Sequence, residues 1–144
     1  MVAYADTSFL FSLYGHDANS AQALPIGDAL EEPFAFTPLH RHEVRNAFRL
    51  AVFRKAMTVE RCQAVLAEIE ADIKTGALVE TPVAWAEVYA EAEALSAAHT
   101  ERLGTRAFDV LHVAAAAALG AKAFYTFDAR QKALARKAGM KVKP

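Results

Sequence analysis

The sequence predicts an α/β protein, a three-layer α/β/α sandwich with a central parallel sheet of about five short strands. Two observations predict it. Short apolar runs of β character alternate with longer segments of helical period, and strands separated by helices pair in parallel through crossover connections. Two of those runs also lead into an aspartate, Asp6 and Asp128. Strand ends of open α/β sheets are where ligands and metals bind.

The elements follow in order. Val2-Ala3-Tyr4-Ala5 is the first strand and runs straight into Asp6, Thr7 and Ser8. Residues 15–33 carry Gly15, Pro25, Gly27 and Pro33 and read as helix without clear bounds. Phe34–Thr37 is the second strand. In "PLHRHEVRNAFRLAVFRKA", Val44, Ala47, Phe48, Ala51 and Val52 share one helical face. Thr37 serves as its cap and Pro38 as its first residue. "TVERCQAVLAEIEADIKTG" repeats the pattern through Val65, Leu66, Ile69 and Ile73, from Thr58 to Gly76. Leu78–Glu80 is the third strand, and "VAWAEVYAEAEALSAAH" the helix after Pro82, with Trp85 and Tyr89 packing on the core or on a partner subunit. "RAFDVLHVAAAAALG" and "ARQKALARKAG" are the last two helices, closed by Gly120 and Gly139, both suited to a left-handed cap. Ala123–Thr126 and Met140–Val142 complete the strands.

The 144 residues, 54% apolar, fit one domain over 1–144 with a substantial core. No apolar run approaches the roughly 20 residues that span a bilayer, and no basic region precedes the first apolar run, so neither a membrane segment nor a secretory signal is expected. Cys62 is the single cysteine, which excludes an intrachain disulfide and suits the cytoplasm. Net charge is −1, but it is unevenly distributed. Residues 38–56 hold five bases and one acid, and residues 122–144 seven bases and one acid, between acid-rich stretches. Such blocks can form a polyanion-binding patch or an ordinary mixed surface.

Four acids are placed unlike the rest. Asp6 and Asp128 follow strands, Asp109 lies on a very apolar helix, and Glu43 is the one acid of a basic block, near the start of the helix after the second strand. All four can reach the same edge of a parallel sheet. Carboxylates converging there repel unless cations neutralise them, and oxygen ligands select hard ions such as Mg²⁺ or Mn²⁺. Such a site activates water and stabilises the leaving oxygen in phosphodiester cleavage. The hydroxyls of Thr7, Ser8 and Thr126 can orient these carboxylates or metal-bound waters. Each acid also has a structural alternative. Asp6 and Asp128 can cap helices, Asp109 can pair with Arg106, and Glu43 can be a solvated charge in a first helical turn. His112 reads as a packed, satisfied histidine, and His16, His40, His42 and His99 show no pattern. Zinc spacing, a phosphate-cradling glycine loop and a nucleophile elbow are all missing.

These residues carry a resemblance. "YADTSFLFSLY", "TPLHRHEVRNAF", "RAFDVLHVAAAAALGA" and "FYTFDARQKALARKAGMKV" stand in an order similar to that of the PIN-domain family of metal-dependent ribonucleases. Within that family the chain resembles the VapC-type toxins of toxin–antitoxin pairs. The resemblance covers nearly the whole chain; residues 57–100 add little to it. It implies that Asp6, Glu43, Asp109 and Asp128 hold Mg²⁺ or Mn²⁺, with Thr126 and Thr7 or Ser8 as the accompanying hydroxyls. It also implies endonucleolytic cleavage of RNA, dimerisation, and inhibition by a small VapB-like antitoxin. Arg41, Arg45 and Arg49, four residues apart on one helix, are candidates for contacts with RNA phosphates or with an acidic antitoxin segment. The alternatives are a nuclease of the same fold in RNA processing and a noncatalytic RNA- or protein-binding module. A phosphate-accepting Asp domain fits less well, because "DTS" stands where such domains carry an Asp-x-Asp pair.

Overall fold

The computed structural model describes residues 2–144. Five strands form: β1 (Tyr4–Ala5), β2 (Phe34–Phe36), β3 (Leu78–Glu80), β4 (Ala123–Tyr125) and β5 (Lys141–Lys143). Every pairing is parallel: β1 with β4, β4 with β5, and β2 with β3. The ladder thins between β1 and β2. There a single parallel bridge, Ala3 to Phe34, joins the three-stranded and two-stranded parts. It is held by Ala3 N–H donating to the Pro33 carbonyl at 2.9 Å and Ala35 N–H to the Ala3 carbonyl at 2.8 Å. The order across the molecule is therefore β3-β2-β1-β4-β5, with β1 central. The last strand is shifted one residue from the expected Met140–Val142, because Met140 turns into the core.

Helices connect the strands: α1 (Thr7–Tyr14), α2 (Ser20–Ala29), α3 (Pro38–Phe53), α4 (Val59–Thr75), α5 (Trp85–Leu95), α6 (Glu101–Leu103), α7 (Ala107–Ala118) and α8 (Ala129–Lys137). α3 starts as its sequence dictates, with Thr37 accepting from the His40 N–H and Pro38 in the first turn. His40 completes this cap by accepting the Thr37 N–H at Nδ1, 3.0 Å. α4 stops at Gly76, whose φ of 87° is open to glycine and strained for other residues. The helix expected over 83–99 does not end cleanly. After Leu95 it widens into a π-helical turn, Ser96–Thr100, and passes into the short α6.

The strands alternate their side chains between two faces. Tyr4 and Phe124 point to one face, with Val88 and Ala92 of α5, Val113–Ala116 of α7 and Leu134 of α8. The run of buried alanines leaves little side-chain bulk between α7 and its neighbours, so backbones approach closely. Ala5, Phe34, Phe36 and Tyr125 point to the other face, with Phe9 and Leu10 of α1, Val44 and Phe48 of α3, and Val65 and Ile69 of α4. Trp85 packs on the first of these cores, whereas Tyr89 is 59% exposed. Thus α1 leaves β1 toward one face and α8 leaves the adjacent β4 toward the other. The two helices diverge at the carboxyl ends of β1 and β4, the usual binding position in open α/β sheets. Among the described residues no helix is long and apolar enough to cross a membrane.

Candidate functional site

Asp6 is the last residue before α1, and its main chain is tied to β4 by Asp6 N–H donating to the Tyr125 carbonyl at 3.0 Å. Its side chain is completely buried. Oδ1 accepts from the Ser8 hydroxyl at 2.7 Å and the Phe9 N–H at 2.9 Å. Oδ2 accepts from the Thr126 hydroxyl at 2.5 Å and from Gln131 Nε2 at 2.6 Å. An ionised carboxylate offers about four lone-pair sites, so all of them are filled. Burial pushes the Asp6 carboxyl above its usual range, against the hydrogen bonds from Thr126, Phe9 and Ser8. The Phe9 bond makes Asp6 the N-cap of α1 as well. Asp128 likewise caps α8 by accepting the Gln131 N–H at 2.9 Å. Capping and placement at the sheet edge are thus two consequences of one position.

The two hydroxyls that hold Asp6 also tie the β4–α8 loop. The Thr126 hydroxyl accepts the Asp128 N–H at 2.9 Å, and the Ser8 hydroxyl accepts the Phe127 N–H at 3.2 Å. Gln131 was not expected to take part. It is buried on α8, and its Oε1 has no partner. Its signal in the sequence is its spacing, three residues after Asp128 on the same helical face.

Glu43 lies in the second turn of α3 rather than the first, which carries no acid. Its Oε1 accepts from His112 Nε2 at 2.9 Å. The Thr7 hydroxyl lies 3.3 Å from the same ring nitrogen, and the Tyr4 hydroxyl 2.8 Å from Nδ1. Burial works to raise the Glu43 carboxyl, but the hydrogen bonds from His112 and Thr7 and the two nearby imidazoles together hold the group below its usual range. His112 is fully buried and satisfied, as its apolar helix requires. His40 is a correction to the expectation of no pattern among the histidines. It is buried, and while its Nδ1 serves the α3 cap, its Nε2 donates to the Ala5 carbonyl at 2.7 Å, one residue before Asp6.

Asp109 lies in the first turn of α7 and is half-buried, as is Asp128. Burial raises the Asp109 carboxyl, and the charges of Asp128 and Glu43 add to that, against backbone hydrogen bonding at Arg106. The structural alternative of an ion pair between Asp109 and Arg106 does not form. Among the described residues no Lys or Arg makes an ion pair with Asp6, Glu43, Asp109 or Asp128.

This donor chemistry suits a hard divalent cation: the ligand atoms are all oxygen, Asp128 and Glu43 raise Asp109, and no Lys or Arg among the described residues neutralises the four. The four do not converge on one point as the sequence suggested. Among the described residues no group of three or more His, Cys, Asp or Glu side chains is arranged to hold a metal ion. Asp6 is turned into its four donors, and unneutralised like charges stay apart. The arginines of α3 differ too from a free basic stripe. Arg41 pairs with Glu70 at 2.9 Å and Glu80 at 2.6 Å, and Arg45 pairs with Glu70. Arg45 Nε is buried with no acceptor.

A family profile for the PIN domain matches residues 3–137. A search of curated proteins gives no match. Among solved structures, the crystal structure of Mycobacterium tuberculosis VapC20, described as a sarcin–ricin-loop-cleaving toxin, aligns with a TM-score of 0.70. It shares 21% identity and covers 99% of each chain. That likeness is one of fold.

Proposed function

The chain belongs to the PIN domain family, and from that premise we propose that it is a Mg²⁺- or Mn²⁺-dependent endoribonuclease, the toxin of a VapBC-type toxin–antitoxin pair. The observation that carries the reading is the rim of acids at the ends of β1 and β4, to which, among the described residues, no Lys or Arg is paired. Asp109 and Asp128 would hold the metal and Glu43 would complete its shell, and Asp6 would join them by giving up one of its four present hydrogen bonds. A bound metal supplies an activated water and charge stabilisation at the leaving oxygen of a phosphodiester. The chain's own part is orientation. Ser8, Thr126 and Gln131 fix Asp6, His112 fixes Glu43, and Thr7 lies beside His112. The likeness to a toxin described as cleaving the sarcin–ricin loop supports RNA as the substrate.

The partners in this reading are RNA, a VapB-like antitoxin and a second copy of the chain, in the cytoplasm. Arg49 is free of the Glu70 and Glu80 pairs that hold Arg41 and Arg45. An incoming phosphate or carboxylate therefore competes with two resident glutamates at Arg41 and Arg45 and meets Arg49 directly.

The test is cleavage of end-labelled cellular RNA with Mg²⁺ or Mn²⁺ against chelator, beside Asp109→Asn. Asp109 is the better probe because Asp6 also caps α1. Metal-dependent cleavage that the variant loses supports the reading. A folded protein that neither binds Mn²⁺ nor cleaves RNA points to a noncatalytic binding module.

A further inference from the structure

We infer that His112 is a positioning residue for Glu43, carrying its proton on Nε2 and locked from behind by Tyr4. The inference rests on the metal-nuclease reading above and assigns a role within that site.

The hydrogen bonds fix where the imidazole proton stands. Glu43 Oε1, 2.9 Å from Nε2, has only lone pairs to offer. A bare Nε2 would set two lone pairs against each other at that distance, so Nε2 is the donor. On the opposite side the Tyr4 hydroxyl lies 2.8 Å from Nδ1. That phenol is fully buried, stacked on Phe124 at 5.6 Å between ring centroids and tilted against His40 at 4.8 Å. A buried hydroxyl needs an acceptor for its proton, and Nδ1 is within reach. Tyr4 therefore donates to Nδ1, and Nε2–H donates to Glu43. Which nitrogen bears the proton is set by the bond that the other makes.

The ring has little freedom to leave this arrangement. It is fully buried and lies 5.1 Å from the His40 ring and 5.8 Å from the Tyr4 ring. The line Tyr4–His112–Glu43 runs from β1 through α7 to α3 and joins residues 108 and 69 positions apart. His112 is also one turn from Asp109 on α7. One helix thus sets the place of Asp109 directly and of Glu43 through His112. A glutamate that accepts from a fixed imidazole N–H keeps its carboxylate oriented among like charges, as partners behind a ligand do in metal sites.

The test compares substitutions that keep or remove the donor facing Glu43. His112→Gln retains an N–H near the Nε2 position. His112→Asn retains a polar group beside Tyr4 but has no donor at Glu43. Mn²⁺ affinity is read by electron paramagnetic resonance on protein whose thermal unfolding shows it to be folded. The expected result is wild-type affinity within about threefold for His112→Gln and a loss of at least about tenfold for His112→Asn, the range seen when a ligand's supporting partner is removed. Long-range ¹H–¹⁵N spectra of the metal-free wild type provide the second readout, with the imidazole proton expected on Nε2. Equal Mn²⁺ affinity in both variants, or a proton on Nδ1 alone, overturns the inference and leaves the nuclease reading standing. A folded wild type that binds no Mn²⁺ overturns both.

Discussion

Asp6 and Asp109 belong to the same group of acids and are held in opposite ways. Asp6 is completely buried, and each of its oxygens takes two hydrogen bonds from neutral donors. Asp109 is half-buried in a first helical turn, raised by burial and by Asp128, with no basic partner among the described residues. The first has the surroundings of a structural carboxylate, the second those of one repelled by its acidic neighbours. The difference teaches that one group of acids can join a carboxylate that supports the fold to one that does not. Mutating each member should separate stability from activity.

The largest effects break or confirm that separation directly. Asp109→Asn and Asp6→Asn should each reduce metal-dependent RNA cleavage by about 100-fold or more, since both remove a proposed metal ligand. Their stabilities should diverge. Asp6→Ala leaves the Ser8, Thr126, Gln131 and Phe9 donors without their acceptor, and should cost about 3 kcal/mol or more in urea unfolding. Asp109→Asn loses one half-buried charge near a helix N-terminus but relieves repulsion from Asp128, so it should stay within about 1 kcal/mol of wild type. Equal destabilisation by the two would dissolve the comparison.

Mn²⁺ sharpens it. A ligand that binds only the folded state at 100 times its dissociation constant adds about 2.7 kcal/mol. That gain should be seen in the unfolding of wild type and be largely lost in Asp109→Asn.

The buried side has a pH signature, because Asp6 is supported from behind by His40. Burial, with the neighbouring His112 adding to it, holds the His40 imidazole down to about 3. An unfolded histidine titrates near ~6.5. Between those values the unfolded chain binds a proton that the folded chain refuses. The contribution of His40 is therefore complete above about pH 6.5 and falls by about 1.4 kcal/mol per pH unit as pH drops toward 3. Urea midpoints at pH 7 and pH 5 for wild type and His40→Asn should show a steeper loss in wild type.

The smallest effect tests the saturation of Asp6. Gln131→Leu removes a charge-assisted hydrogen bond from Oδ2 but also removes the partnerless Oε1. These act in opposite directions, so the net change should be about 1 kcal/mol, well below that of Asp6→Ala. A change as large as that of Asp6→Ala would mean that Gln131, rather than the ensemble of donors, holds the carboxylate.

Much of this was legible in the sequence. The alternation of apolar runs and helical period gave five parallel strands. Thr37-Pro38 marked the start of α3, and Gly76 the end of α4. Asp6 and Asp128 could be placed at strand ends, because a strand followed by an acid is a local pattern. Ser8 could be tied to Asp6 because it stands two residues away. The π-helical turn after Leu95 was not legible, since residues 96–100 carry no breaker and the turn joins α5, which packs on α7, to α6. Nor were the pairs of Arg41 and Arg45 with Glu70, which cross from α3 to α4 and turn a predicted basic stripe inward.

The sequence by itself determined the elements, their caps and the order of the four acids, because period and capping act between residues a few positions apart. Only the tertiary structure decided how each acid is held. Thr126 and Gln131 reach Asp6 across 120 and 125 residues, and His112 reaches Glu43 across 69. Those partners meet because β1 lies beside β4 and α7 packs over the sheet. Hydrogen bonding requires contact within about 3 Å, and across such separations contact is created by packing alone.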